Sequence, residues 1–220
     1  MKIDARVKNI GDLVKANSFC LDVETNDCLL GIYLIKKNKR IKVIASTTKE
    51  EVLENALKNI KREHLEDKIK IISGNGLDTK EKIDTIIISN MGGRNIIGLL
   101  KNNEILKKID TLIISPNNYQ VDVKKFLCKK GFYIENEEFV RNKGYIFQII
   151  IFQKGKRKYS KKDYFFGPVF LQKKGPLFRE YYEREMKSRE ILISLLPKNF
   201  RLKKIQTKKE IELIKSEIED

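Results

Sequence analysis

Along the first 153 residues, short apolar runs alternate with segments whose apolar residues recur every three or four positions, as buried strands alternate with amphipathic helices. Ile3, Val7, Ile10, Leu13 and Val14 stand at helical spacing and open the chain with a helix. Residues 19–23 read as a short buried strand, 29–37 as a helix and 41–45 as a second strand. Thr48 stands where an N-cap would, with Glu51 at the capping-box distance, before a helix carrying Leu53, Leu57 and Ile60 on one face. Residues 68–72 make a third strand, closed by the turn Gly74-Asn75-Gly76. The fourth and fifth strands, 83–89 and 111–115, flank a helix over about 95–107. A helix around 121–130 ends at Gly131 as a C-cap. Strands 132–140 and 145–153 then follow with only Asn142-Lys143-Gly144 between them. The alternation predicts an α/β fold with a mainly parallel seven-stranded sheet, and the final pair predicts one antiparallel strand.

Beyond Gly155 the pattern changes. Pro176 is placed as the N1 proline of a helix carrying Phe178, Tyr182, Met186, Ile193 and Leu196, which Pro197 stops. A second helix over about 208–219 shows Ile211, Ile214 and Ile218 on one face. Together they predict a helical hairpin, so the chain divides into an α/β domain over residues 1–155 and a basic helical part over 156–220.

Composition narrows the chemistry. No run approaches the roughly 18 apolar residues of a membrane helix, and Met1-Lys2-Ile3-Asp4 lacks the apolar region of a signal peptide. No membrane association is expected, and the chain is expected to act in the cytoplasm as a monomer. Cys20, Cys28 and Cys128 form no C-x-x-C pair and read as small buried hydrophobes. The single histidine, His64, sits in a charged stretch, so no metal site is expected. The net charge of +16 points to a polyanionic partner. Residues 154–220 hold 19 Lys/Arg against 10 Asp/Glu, clustered in Lys154-Gly155-Lys156-Arg157-Lys158 and Lys161-Lys162, which favours RNA or DNA.

The candidate chemistry lies at strand ends. Asn90-Met91-Gly92-Gly93 follows the fourth strand directly, and Pro116-Asn117-Asn118 follows the fifth. Such sequences also serve as ordinary turns. Here two neighbouring strand ends offer amides beside small or rigid residues, at the edge of an α/β sheet where ligands bind.

The outline resembles a class I S-adenosylmethionine (SAM) methyltransferase, and more closely the bacterial tRNA (adenine-22-N1)-methyltransferase family. The resemblance runs end to end, through Arg6-Val7, Leu21-Asp22-Val23, Gly74-Asn75-Gly76-Leu77, Asn90-Met91-Gly92-Gly93, Ser115-Pro116-Asn117, Lys130-Gly131-Phe132 and Phe166-Gly167-Pro168. It implies a Rossmann-like sheet that binds SAM through Asp22, Glu24, Thr47, Gly74, Asn75, Gly76, Asn90 and Met91. It implies a tRNA contact through Arg6, Gly92, Gly93, Pro116 and Asn117, with Asn90 and Asn117 holding a flipped adenine for methylation at N1. Gly92 and Gly93 are expected to clear room for its ring.

Three positions depart from the family pattern. Its first-strand loop, D-x-G-S-D-H, reads Asp22-Val23-Glu24-Thr25-Asn26-Asp27 here. Its acidic residue after the second strand is replaced in Ser46-Thr47-Thr48, and the aspartate of G-D-G-L is Asn75. A carboxylate at Glu24 is expected to oppose the methionine carboxylate of SAM by roughly 1–3 kcal/mol, so Glu24→Gly is expected to tighten binding. Two functions follow from this reading: an active tRNA methyltransferase, or a non-catalytic tRNA- or rRNA-binding protein with a weakened SAM site.

Overall fold

In the computed structural model, residues 3–38 and 40–219 are described. Met1 and Lys2 of the expected first domain, Lys39, and Asp220 of the second lie outside them. The first of two compact units covers Met1–Leu171 and the second Gln172–Asp220.

The first unit is a seven-stranded sheet in the order β3-β2-β1-β4-β5-β7-β6. Its strands are β1 (Phe19–Val23), β2 (Lys42–Thr47), β3 (Ile69–Ser73), β4 (Thr85–Ser89), β5 (Thr111–Ser115), β6 (Phe132–Asn142) and β7 (Tyr145–Lys154). β1 to β5 pair in parallel, and β7 runs antiparallel to both β5 and β6. Helices α1 (Ala5–Asp12), α2 (Leu29–Lys37), α3 (Glu50–Arg62), α4 (Gly93–Leu100) and α5 (Gln120–Lys129) connect or cover the strands. The period-2 alternation of each strand sorts its side chains onto two faces. Cys20, Val43, Ala45, Ile87, Ile113 and Ile149 pack with Ile10, Ile32, Ile35 and Ile60, while Leu21, Ile44, Ile86, Ile88, Leu112 and Ile150 pack with Ile96, Leu100, Val123 and Leu127. Strands buried on both faces explain the continuous apolar runs.

Several boundaries differ from the sequence expectation. α3 is capped by Lys49, not Thr48, because the Thr48 N–H goes to Glu24 and Thr47 Oγ1 accepts from the Lys49 N–H. The helix expected to reach residue 107 stops at Leu100, and a 3-10 turn over Glu104–Lys107 follows, where Asn103 Oδ1 accepts the Ile105 N–H at 2.9 Å. That local bond offers the backbone an alternative to the helix.

The first compact unit extends to Leu171, past the boundary expected at Gly155. The basic stretch lies along edge strand β6: the Gly155 N–H donates to Gly131 O at 2.9 Å, Arg157 stacks 4.1 Å over Tyr133, and the Ile134 N–H donates to Tyr159 Oη at 2.9 Å. This cover blunts an exposed edge. Helix α6 (Lys161–Phe166) starts with a Ser160/Asp163 capping box, and α7 is Pro168–Lys173. Phe166 is fully buried, and Phe170 stacks on Phe139 with centroids 3.9 Å apart. Beneath them Lys124 and Glu137 form a fully buried ion pair at 2.9 Å, and Glu137 also accepts the Val169 N–H. A side chain at Gly167, whose φ is +109°, would collide with that carboxylate. The apolar and ionic contacts of 157–170 thus tie that segment to the α/β unit.

The second unit contains α8 (Pro176–Leu195) and α9 (Arg201–Ile218). Phe178, Tyr182, Ile211, Ile214 and Ile218 are buried, and half-buried Arg189 reaches Glu185 and Glu210. The stripe expected to reach Leu196 thins toward the turn: Met186, Ile193 and Leu196 are only partly buried. α9 starts seven residues before its expected position, because Leu202 and Ile205 are exposed and leave no buried stripe to read there.

Candidate active site

The carboxyl ends of β1, β2, β3, β4 and β5 share one edge of the sheet, since these strands are parallel and adjacent in register. Topology therefore places Glu24 and Asn90 past the same end of neighbouring strands. Backbone strain also collects here. Glu24 (φ +53°), Cys28 (+59°), Asn90 (+64°) and Tyr119 (+54°) all adopt left-handed conformations. For an L-residue other than Gly this costs about 1–2 kcal/mol, and such strain gathers at functional sites.

β1 ends on Asp22 and Val23, both buried. Burial pushes the Asp22 carboxyl up to about 7; a hydrogen bond with Thr25 opposes the shift and nearby Asp27 adds to it. A cation brought to this edge would draw it back down. The loop after β1 leans on β2, where the Thr25 N–H donates to Ser46 O at 2.9 Å. Beside it, Glu24 Oε2 accepts the Thr48 N–H at 3.3 Å. Thr47 itself is 1% exposed, its hydroxyl occupied by Lys49.

The turn after β3 is fastened to the same place. The Gly74 N–H donates to Thr47 O at 2.8 Å, and Ser46 Oγ donates to Asn75 O at 2.9 Å. Gly76 takes φ +74°, and a Cβ there would lie 2.8 Å from Leu21 Cδ1. Asn75 Oδ1 accepts the Leu77 N–H at 2.9 Å in an Asx turn. This leaves Asn75 one carbonyl lone pair and its NH2 for a ligand.

The ends of β4 and β5 are joined by Arg6. Its Nη1 donates to Asn90 Oδ1 at 3.1 Å and to Asn117 Oδ1 at 3.2 Å, and its Nε donates to Ser115 Oγ at 3.0 Å. Nη2 donates to Ser115 O, and the guanidinium lies 4.0 Å from the centroid of the Phe147 ring. Burial lowers the Arg6 pKa to about 10, with Asp4 opposing the shift, so the group stays charged at neutral pH. A guanidinium offers five donors in a fixed fork. One buried cation therefore fixes both amides carbonyl-inward, each keeping its NH2 and a second lone pair for a ligand. The Asn117 N–H also donates to Met91 O at 3.0 Å.

A family profile for tRNA (adenine(22)-N(1))-methyltransferase matches residues 20–216. The chain belongs to this family. The Bacillus subtilis tRNA (adenine(22)-N(1))-methyltransferase is 20% identical over 195 residues, covering 84% of this chain and 82% of that protein. A Streptococcus pneumoniae family structure in complex with S-adenosyl-L-methionine is 27% identical, with a TM-score of 0.88 over 97% of this chain and 98% of that one. The Mycoplasma capricolum structure holding S-adenosylhomocysteine (SAH), the cofactor product, is 25% identical, with a TM-score of 0.84 over 97% and 96% of the two chains.

Against the family's expected site, the structure brings Arg6, Asn90 and Asn117 into one network and gathers Asp22, Glu24, Thr47, Gly74, Asn75 and Gly76 at the ends of β1 to β3. Four of these residues, Gly92, Gly93, Pro116 and Thr47, have structural surroundings of their own. Gly93 is required by the close approach of the β5–α5 loop, since a Cβ there would lie 2.5 Å from Asn118 O. Gly92 faces Asn118 Oδ1 in the same way, at 3.2 Å. Both glycines have a packing reason separate from a substrate ring. Pro116 is buried and shapes the turn behind Asn117. Thr47 is buried, its Oγ1 accepting the N–H of Lys49, the N-cap residue of α3. Asn118 and Ser115 stand in the motifs read from sequence but were given no role there. Asn118 Oδ1 holds the Gly93 N–H at 3.0 Å, and Ser115 Oγ donates to Gln148 O at 2.8 Å while accepting from Arg6. Their sequence signal was their place on either side of Pro116-Asn117.

The edge fits SAM. The turn after β3 leaves open space where a Cβ at Gly74 would stand, and beside it Asn75 keeps its NH2 and one carbonyl lone pair for a ligand. Among the described residues no group of three or more His, Cys, Asp or Glu could hold a metal ion, and no helix is long and apolar enough to cross a membrane.

Proposed function

We propose that this chain methylates N1 of adenine 22 in tRNA, using SAM as the methyl donor. The observation that carries the reading is the pair of amides at the ends of β4 and β5, fixed by the buried Arg6 fork beside the SAM edge. Bound SAM supplies an electrophilic methyl group on a sulfonium. Adenine N1 is a neutral lone-pair nucleophile at neutral pH, so the chain has no proton to remove. What it must supply is in-line placement and a site for a base turned out of its stack. Asn90 and Asn117 suit that task. Each carbonyl keeps a lone pair for the adenine amino group, and each NH2 can donate to a ring nitrogen other than N1.

The edge formed by Asp22, the 74–76 turn and Met91 holds the cofactor in this reading. The basic residues of α8 and α9 contribute phosphate contacts, so tRNA affinity falls steeply with salt. The reading requires the cytoplasm, where tRNA is matured, and one copy of the chain suffices for it. The experiment is calorimetric titration of SAM, followed by methyl transfer to unmodified tRNA transcripts carrying A22 or G22. Transfer to A22 alone is expected. Tight tRNA binding without SAM binding would favour the non-catalytic RNA-binding alternative.

A further inference from the structure

We infer that Glu24 is the ribose-binding carboxylate of this chain, delivered from the β1–α2 loop to the end of β2 in place of the missing strand-end acid. The inference rests on the SAM reading above. In doubly wound sheets an acidic residue at the end of the second strand accepts the ribose hydroxyls of the bound nucleotide. Here that position is Thr47, which is buried and engaged by the Lys49 N–H. Glu24 fills the gap: its Oε2 accepts the N–H of Thr48, the residue immediately after β2. The loop that carries it is held against β2 by the Thr25 N–H on Ser46 O. A carboxylate thus stands at the end of the second strand although the strand's own sequence has none.

Two further features fit a ligand contact. Glu24 takes a left-handed backbone at φ +53°, where glycine would be relaxed, so the glutamate stands there against local preference. Its side chain is only partly buried, and one N–H of the protein occupies one oxygen. The remaining lone pairs can accept the two hydroxyl hydrogens of a ribose, a charge-assisted arrangement. On this view the two departures at 24 and 47 are one exchange: the acid has moved from strand to loop and its charge at the edge is preserved. The repulsion expected from sequence assumed that Glu24 faces the methionine carboxylate. Its anchorage at Thr48 places it at the end of β2 instead.

The test titrates SAH, and an SAH analogue lacking both ribose hydroxyls, into the wild type, Glu24→Gln and Glu24→Gly. The assignment predicts that the wild type favours SAH over the analogue by at least tenfold. Both variants should lose at least tenfold for SAH, with analogue affinity unchanged. Because Glu24→Gly relieves a left-handed backbone, it should fold at least as well as the wild type, and unchanged analogue binding reports an intact site. Tighter SAH binding by either variant would overturn the assignment in favour of charge repulsion. Equal losses for the two ligands would overturn it in favour of a structural role. If the wild type bound neither ligand, the SAM reading would fail, and this assignment with it.

Discussion

Replacing Arg6 separates a positioning role from a structural one. Arg6→Ala removes donors from Ser115 O and Oγ, which lie on a fully buried residue, and from the exposed Asn90 and Asn117. Water replaces the bonds to the exposed amides, so they add little to stability. A buried acceptor left unsatisfied costs about 1–3 kcal/mol, and the lost stacking on Phe147 adds about 0.5–2 kcal/mol. The expected loss is about 2–5 kcal/mol by urea unfolding, with Ser115 Oγ still bonded to Gln148 O. Function should suffer separately. Without their shared anchor, Asn90 and Asn117 rotate and flip, and a 10- to 100-fold fall in kcat corresponds to about 1.4–2.7 kcal/mol of transition-state positioning. Arg6→Lys, whose single ammonium cannot reproduce the fork, should keep more stability than Arg6→Ala yet show a similar fall in kcat. The assay is single-turnover methylation at a temperature where circular dichroism shows each variant folded. A kcat within twofold of wild type for both would refute the positioning argument and leave Arg6 as a brace for Ser115.

Three other outcomes follow from the same structure. Asp22 has its folded pKa raised to about 7, so its contribution to stability is fully present near pH 4 and lost as pH rises toward 7, by roughly 4 kcal/mol in all. Asp22→Asn should therefore gain stability over the wild type progressively from pH 4 to 7, and parallel stability–pH curves would contradict the burial argument. Gly167→Ala should destabilise by more than the ~1 kcal/mol of a left-handed alanine, because its Cβ meets the Glu137 carboxylate; Lys124→Met should cost about 3–5 kcal/mol by leaving that carboxylate buried and unpaired. Thermal unfolding measures both, and a change under 1 kcal/mol in either would contradict the buried clamp. Reversing Lys203, Lys204, Lys208 and Lys209 to Glu should weaken tRNA binding and flatten its salt slope, leaving SAM affinity unchanged; an unaltered slope would remove the second unit from the RNA contact.

The sheet was legible because β1, β2, β4, β5 and β7 are largely buried apolar runs, because β3, β4, β5 and β7 are each followed directly by glycine, proline or asparagine, and because the short link between β6 and β7 gave away the reversed strand. Less legible was anything set by a contact distant in sequence. Thr48 looks like a cap until the backbone of the β1 loop brings Glu24 to its N–H. Gly92 and Gly93 look like ligand clearance until the β5–α5 loop is seen to lie against them. The Ser160/Asp163 capping box was present in the sequence, but a run of lysines obscured the short helix after it. Phe166 and Phe170, which set the unit boundary, carry no periodic stripe of their own. For the site, strand ends alone brought Asn90 and Asn117 together, whereas the orientation of their amides depends on Arg6, more than eighty residues upstream.

The most direct test is a single-turnover reaction of stoichiometric protein with SAM and an unmodified tRNA transcript, read by arrest of reverse transcription, since methylation at N1 blocks the pairing face of adenine. The account predicts an arrest at position 22 that requires SAM and disappears when A22 is replaced by G. Full-length extension through position 22, under conditions where the protein binds both SAM and the transcript, would contradict it.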